Sequence, residues 1–429
     1  MNISAFLKAN GFVTGAEVDR EQMLADFLVE MDRGLAGERS SLQMIPAYLR
    51  ADAEIRRGAK VAVLDAGGTN LRSALVTIPG GVSERQNQPM PGSVHEVGAE
   101  EFFSTLAREV RRVHPLADTA RIGFCFSYNA ETTPDLDAYL KEWNKGIRAP
   151  EVVGTYVGRE LLARLGGGSV AIVNDTVATL LAAKAACVGR DYAAFVGFIL
   201  GTGTNVAYAE PSRQAQVINS ESGGFDKVLS SSFDRAMDAK LADTGQYPLE
   251  KMIAGAYLGP LGLEVLRAAG KAGLLSVAAC GSLGELDSLA SRDLDDFTAG
   301  VSRADNPLEH ILTLPEDRTC AKALGQVVFE RAAVLAAVQL AAFVIRSGKE
   351  GGLPVAVNID GSTYYKTKSV SFPEVFRREL DDLAVRRRGI TYEILPEIVD
   401  APLLGAALAA LASLPELNWN SESKPAGFR

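Results

Sequence analysis

Several places in this chain end an apolar run on residues that could bind an anion or move a proton. The fullest is Val61-Ala-Val-Leu-Asp65-Ala-Gly67-Gly68-Thr69-Asn70-Leu-Arg72. A β-branched run stops at a carboxylate, and two glycines, Thr and Asn follow. Residues 73–78 read as a second strand, so the pattern is strand, Gly-Gly turn, strand: a hairpin. Glycines there let backbone amides come close to a phosphate, as a nest of donors does. Asp65 stands where a carboxylate reaches Mg²⁺, directly or through water. The same residues also fit an ordinary hairpin with an acidic edge.

Gly201-Thr202-Gly203-Thr204 closes another apolar run and offers amides plus hydroxyls. Alone it could be any tight turn; at a strand end equivalent to 65–70 it is a second candidate phosphate loop. Asp175 follows Asn174 at the end of Val-Ala-Ile-Val and precedes a helix. It could cap that helix, or act as the general base that takes a proton from an attacking hydroxyl. The chain has only three histidines, at 95, 114 and 310, with no Cys or His at ligand spacing, which argues against zinc and leaves proton transfer to a carboxylate. Ser127, Lys145, Asn205, Glu221 and Glu250 are polar residues set among apolar or Gly-rich segments. Each could be a solvated loop residue; together they suit a polyhydroxylated ligand in a cleft.

The elements that must position these residues alternate strand and helix, which makes the fold class α/β. Helical spacing marks 15–35, 100–113, 151–165 and 176–188, and strands are expected at 60–65, 73–78, 121–126, 169–173 and 193–200. Residues 79–93 and the stretch from 127 to 150 read as loops. The later half is mostly helical (225–241, 248–270, 283–300, 317–347), with a strand at 353–359 reaching Asp360-Gly361-Ser362-Thr363. Helix 373–384, strand 390–394 and helix 401–413 follow. The candidate residues fall at carboxyl ends of strands, where open α/β sheets bind ligands. Two halves built alike would hold a nucleotide between them. GxxxxGK[ST] is absent and GxGxxG does not occur in context, so the phosphate site must come from hairpins.

With 429 residues the chain exceeds the usual single-core limit, and two domains are expected. Its net charge of −9 lacks the footprint of a nucleic-acid binder. Cys125, Cys187, Cys280 and Cys320 lie far apart and read as free thiols in a reducing compartment. No signal-peptide pattern opens the chain, and 331–345 reads as a buried helix rather than a membrane span. A soluble, cytoplasmic protein is expected.

The order and spacing of several segments resemble the hexokinases of the eukaryotic type, from about residue 27 to about 410. They are MDRGL (31–35), SLQMIPAYL (41–49), VLDAGGTNLR (63–72), GFCFSYNAE (123–131), KEWNKGI (141–147), VNDTVATLLA (173–182), GFILGTGTNVAY (197–208), INSESGGFD (218–226), YPLEKMIAGAYLG (247–259) and VNIDGSTYYK (357–366). The resemblance implies two actin-like (ribonuclease H-like) α/β domains separated by a substrate cleft. The small domain would comprise 59–173 plus 402–416, and the large one 1–58 plus 174–401. It implies ATP-dependent phosphorylation of a hexose 6-hydroxyl, with glucose as acceptor and Mg²⁺ as cofactor. Kinases for another hexose, or a sugar-binding regulator with weak turnover, remain open.

By the same resemblance Asp175 is the catalytic base. Ser127, Asn144, Lys145, Asn174, Asn205, Glu221 and Glu250 contact the sugar. Asp65, Gly67, Gly68, Thr69, Asn70 and Arg72 form the first phosphate loop, with Asp65 toward Mg²⁺ through water. Gly201, Thr202, Gly203 and Thr204 form the second, and Gly361, Ser362 and Thr363 the adenosine loop. The chain departs from the family at Asn129 (where Pro is usual), Asn144 (Thr), Ser222-Gly223 (Trp-Gly) and Ala401–Gly405 (Gly-Ser-Gly-Lys-Gly).

Overall fold

The computed structural model describes residues 2–51, 58–78, 81–114, 120–143 and 146–412. The chain begins with helices α1 (Ile3–Ala9) and α2 (Arg20–Leu35) and strand β1 (Ile45–Arg50). Strands β2 (Lys60–Gly67), β3 (Asn70–Thr77) and β4 (Gly81–Pro89) form a meander, followed by α3 (Ala99–Val113) and β5 (Arg121–Phe126). A small hairpin, β6 (Asn129–Thr132) and β7 (Ala138–Glu142), leads to α4 (Val157–Leu165), β8 (Ser169–Val173) and α5 (Asp175–Ala186). A second meander follows, β9 (Ala194–Leu200), β10 (Thr204–Glu210) and β11 (Gln216–Asn219). Helices α6 (Ser232–Asp238), α7 (Glu250–Ile253), α8 (Leu258–Lys271), α9 (Val277–Glu285), α10 (Ser291–Ala299), α11 (Pro307–Ile311) and α12 (Pro315–Ser347) come next. The last elements are β12 (Val355–Asp360), α13 (Ser362–Lys366), α14 (Phe372–Leu380), β13 (Tyr392–Ile394) and α15 (Ala401–Ala412).

One sheet runs β4-β3-β2-β5-β8 and the other β1-β11-β10-β9-β12-β13. In each, three antiparallel strands are extended by two parallel ones. Apart from β1, the sheets therefore share one strand order. The Gly68-Thr69 turn after β2 and the Gly201–Gly203 turn after β9 occupy matching corners.

Alternation along β2 explains how a carboxylate ends up inside. Val61 and Val63 face a core shared by both sheets, whereas Ala62, Leu64 and Ala66 face a separate core under α3 and α4. Asp65 continues the Val61/Val63 face. The shared core is filled by α5 and α15. Helix α5 follows a strand of the first sheet but lies on the second; α15 follows the second and lies on the first. Glycines permit both contacts: a Cβ at Gly197 would stand 2.4 Å from the Leu180 nitrogen, and one at Gly123 2.1 Å from the Ala406 carbonyl oxygen. The helices meet at Gly405, where a Cβ would lie 1.9 Å from the Ala178 oxygen.

Several expectations need correction. Residues 81–89, expected as loop, form β4, an exposed edge strand without apolar alternation. The expected loop between 127 and 150 contains the β6–β7 hairpin. Strand β1 was not anticipated; its Pro46 is tolerated because β1 pairs on one side only. The expected helix 225–241 contracts to α6, 151–165 begins as helix only at Val157, and 248–270 is interrupted between Ile253 and Leu258. Helix α12 is long and apolar enough to cross a membrane, but 89% of its apolar window is buried in the protein. It is the central helix of the larger core.

Candidate active site

The first turn sorts its backbone polarity. Gly68, at φ +66°, sits in the left-handed region that favours glycine. The Gly68 carbonyl accepts from Tyr128 Oη (2.6 Å), and the Thr69 carbonyl from the Met90 amide (2.8 Å). The amides of Gly68 and Thr69 donate to no acceptor among the described residues. The second turn behaves alike. Gly201 O accepts from the Gly255 amide (2.7 Å) and Thr363 Oγ1 (2.8 Å), and Thr202 O from the Ala256 amide (3.0 Å). The Thr202 and Gly203 amides are left without an acceptor among the described residues. Carbonyls held by protein and amides left over are what a bound phosphate requires.

The loop at 361–363 abuts the second turn directly. Gly361 has φ +131°, and a Cβ there would be 2.4 Å from the Leu200 carbonyl. Only glycine fits that crossing. Ser362 and Thr363 open α13, and Thr363 is tied to Gly201 as described.

Asn174 and Asp175 divide two roles. Asn174 Oδ1 accepts from the Thr176 amide at 2.8 Å, so Asn174 caps α5. Asp175 is the first residue of the helix, and its carboxylate is not consumed by capping; Thr176 Oγ1 donates to its Oδ1 at 3.2 Å. It lies at the positive end of the α5 dipole.

Asn205, Asn219 and Glu221 form a connected polar wall, with Glu250 beside it. Asn205 Nδ2 donates to Glu221 Oε1 (3.1 Å) and to Asn219 Oδ1 (2.8 Å), and Asn219 Nδ2 donates to Glu221 Oε1 (2.7 Å). Glu221 is held at φ +53°. Glu250 Oε2 accepts the Thr204 amide at 2.9 Å, and a Cβ at Gly203 would stand 2.7 Å from the same oxygen. The Gly-Thr-Gly-Thr turn thus needs Gly203 as much for Glu250 as for a phosphate. The turn also explains the helix break: the Gly255 and Ala256 amides are spent on the Gly201 and Thr202 carbonyls.

Ser127 is buried beyond β5, its oxygen 3.9 Å from the Cys125 sulfur. An aromatic cluster of Phe102, Phe126, Tyr128 and Trp143 anchors both ends of the following segment, and Trp143 Nε1 donates to Ala149 O at 2.7 Å. Asn144 and Lys145 lie outside the described residues. Among the expected nucleotide contacts, Gly67 and Asn70 flank the first turn, while the Arg72 guanidinium rests on Asp65 Oδ2 (Nε 2.7 Å, Nη2 2.5 Å).

Burial raises the carboxyl pKa of Asp65, Glu221, Glu250 and Asp360 above the usual range. Arg72 opposes the shift at Asp65, while the Asp175 charge adds to it at Asp65, Glu221 and Asp360. Among the described residues no group of three His, Cys, Asp or Glu side chains converges as a metal cage. Mg²⁺ needs none: it takes one or two carboxylates and completes its shell with water and phosphate oxygens. Asp65, buried, and Asp360, half-buried, both carry carboxyls raised by burial and by the Asp175 charge, and they fit that donor set.

Asn219, Tyr257 and Gln339 belong to the site but were not singled out by sequence, and Asp360 was marked only as a strand end. Tyr257 Oη lies 3.5 Å from Glu250 Oε1, and its phenol is pushed up to about 12 by burial and by Glu250. Asp360 carried a signal, its place at a strand end; the others did not. A cavity of about 480 Å³ lined by Asn10, Phe233, Lys240, Arg267, Lys271 and Cys280 contains no candidate residue.

Comparison with known proteins agrees with this arrangement. Family profiles described as hexokinase match residues 12–185 and 195–412. The hexokinase of Schistosoma mansoni is 30% identical over 390 residues, covering 81% of this chain and 84% of that protein. Hexokinase-1 of Saccharomyces cerevisiae is 27% identical over 94% of this chain and 90% of its own. Human hexokinase-3 is 29% identical over 78% of this chain, which spans only 39% of that longer protein. A crystal structure of a hexokinase superposes with a TM-score of 0.77 at 25% identity, covering 96% of this chain and all of the other. The S. mansoni hexokinase complexed with glucose superposes at 0.73 with 26% identity, again over 96% of this chain and all of the other. The fold is therefore the actin-like α/β fold of these kinases, and the chain belongs to the hexokinase family.

Proposed function

We propose that this protein transfers the terminal phosphoryl group of ATP to the 6-hydroxyl of a hexose, with D-glucose as acceptor. The observation that carries the reading is the pair of matched turns, whose carbonyls are tied to protein while their amides await an acceptor. Glu250 accepts the Thr204 amide of the second turn, and Asn205, the next residue, joins Asn219 and Glu221 in the polar wall. A phosphate site and a hydroxyl-binding site thus adjoin at Thr204–Asn205. The S. mansoni hexokinase that superposes on this chain holds glucose, which supports glucose as acceptor.

In this reading Glu221, Glu250 and Asn205 orient the sugar hydroxyls. Asp175 accepts the proton from the 6-hydroxyl as its oxygen attacks phosphorus. The amides of Gly68, Thr69, Thr202 and Gly203 stabilise charge on the phosphate oxygens without reorganising. Asp65 and Asp360 would hold Mg²⁺ through water, the ion supplying charge neutralisation on the phosphates. Closure of the two sheets over the sugar excludes water, so that the hexose rather than solvent receives the phosphoryl group. The free cysteines support a cytoplasmic setting.

A panel of hexoses with ATP, followed by ADP release and by the position of the product phosphate, tests the reading. Glucose 6-phosphate is the expected product. Hydrolysis of ATP indifferent to every hexose would overturn it.

A further inference from the structure

Among the polar side chains that α12 buries, Gln339 is the one that reaches the candidate site. Gln339 is fully buried among alanine, valine and leucine. Both of its polar atoms are engaged, each by a different arm of the site. Oε1 lies 3.2 Å from Thr204 Oγ1, and Nε2 donates to Ser222 Oγ at 2.9 Å. Thr204 and Ser222 are themselves buried. Thr204 ends the second Gly turn, and its amide holds Glu250. Ser222 follows Glu221, and its amide donates to Asn205 Oδ1 at 3.3 Å. Gln339 therefore touches neither turn amides nor sugar-facing carboxylates. It grips the residue next to each.

A buried amide with both ends engaged specifies geometry: Thr204 Oγ1 also reaches the Ile199 carbonyl at 3.0 Å, but Ser222 Oγ without Gln339 would be a desolvated hydroxyl. Elsewhere α12 is fixed by apolar packing and by polar contacts to other helices, the buried Arg331–Asp234 pair and the Ser276–Asp317 bonds, and neither of these reaches the Gly turn or the Glu221 loop. We infer that Gln339 is a positioning residue that sets the Glu221 loop and the Gly201–Thr204 turn as one unit, fixing the acceptor face against the phosphate face. The inference rests on the hexose kinase reading above and deepens it by naming how the two halves of that site are kept in register. Small misplacements of reacting groups cost large factors in rate, so a residue outside the first layer of contacts can govern both hexose binding and turnover.

The test is a double-variant cycle of Gln339→Met and Ser222→Ala, with KM for glucose, KM for ATP, kcat and thermal midpoint measured for all forms. A packing role would lower kcat with the active fraction and leave KM for glucose unchanged. Positioning predicts that each folded single variant raises KM for glucose by about tenfold or more. It also predicts that the double variant is no worse than Gln339→Met alone, because the contact that Ser222→Ala removes is already lost in Gln339→Met. If Gln339→Met does not fold, Ser222→Ala carries the same readout, since it deletes only the hydroxyl that Gln339 holds. Folded variants with wild-type KM for glucose, or strictly additive effects on kcat/KM, would overturn the proposal while leaving the hexose kinase reading intact. A wild-type protein that phosphorylates no hexose would remove both.

Discussion

Asp175 is available for chemistry because Asn174 before it takes the capping duty. Replacing Asp175 with Ala should lower kcat by at least about 100-fold, with KM for the hexose changed far less; steady-state kinetics with glucose decide it. Glu250 makes a different prediction, about stability. Its carboxyl pKa is raised, chiefly by burial. A carboxyl raised on folding binds its proton more tightly in the native state, so its favourable contribution is complete below the ordinary carboxylate range. That contribution is lost as pH climbs through the raised value. Glu250→Gln mimics the protonated form. It should therefore melt higher than wild type at neutral pH, and the gap should close on acidification, while hexose phosphorylation is lost at every pH. A gap that widened toward acid would contradict this account. Residues of this kind were legible where chemistry is local. An acid or glycine at a strand end announces itself, as at Asp65, Asp175 and Gly201–Gly203. Gln339 did not, because its partners Thr204 and Ser222 lie more than a hundred residues away, and Asn219 did not, because nothing in its local pattern set it apart from its neighbours.

At the scale of elements, close packing around α5 and α15 depends on positions that admit no side chain. Gly405→Ala should cost about 1–3 kcal/mol in urea unfolding, since the new methyl would meet the Ala178 carbonyl. A variant as stable as wild type would mean that the crossing is loose. Gly203→Ala should act otherwise, with little change in stability and a fall in kcat/KM of about tenfold or more, because its methyl would displace Glu250 and the turn together. Comparing unfolding midpoints with kinetics separates the two glycines. Central strands and long helices were legible from apolar periodicity. Strand β4 was not, since an edge exposed on both faces has no apolar alternation to read. The break before α8 was hidden for another reason: local propensity favoured helix there, but the Gly255 and Ala256 amides are required by the turn at Gly201–Thr202.

At the scale of the whole molecule, two sheets of common strand order face each other across a core that belongs to both. The outline of paired α/β halves could be read from recurring strand ends, but the exchange of helices between sheets could not. Nothing in α5 or α15 alone says which sheet it will cover. If the sheets close on sugar, glucose should reduce the radius of gyration in solution scattering and slow hydrogen exchange along the cleft. Scattering curves that superpose with and without saturating glucose would count against closure.

The same exchange of helices bears on how the protein is made. Residues 401–412 leave the ribosome after every strand of both sheets, yet they fill the joint that those strands share. Until they emerge, the nascent chain carries Val61 and Val63 of the first sheet without the helix that covers them, and α5 without its partner across the joint. A ribosome-stalled chain ending before Ala401 should therefore be held by chaperones and cut readily by protease, and release of the segment through Ala412 should end both states together.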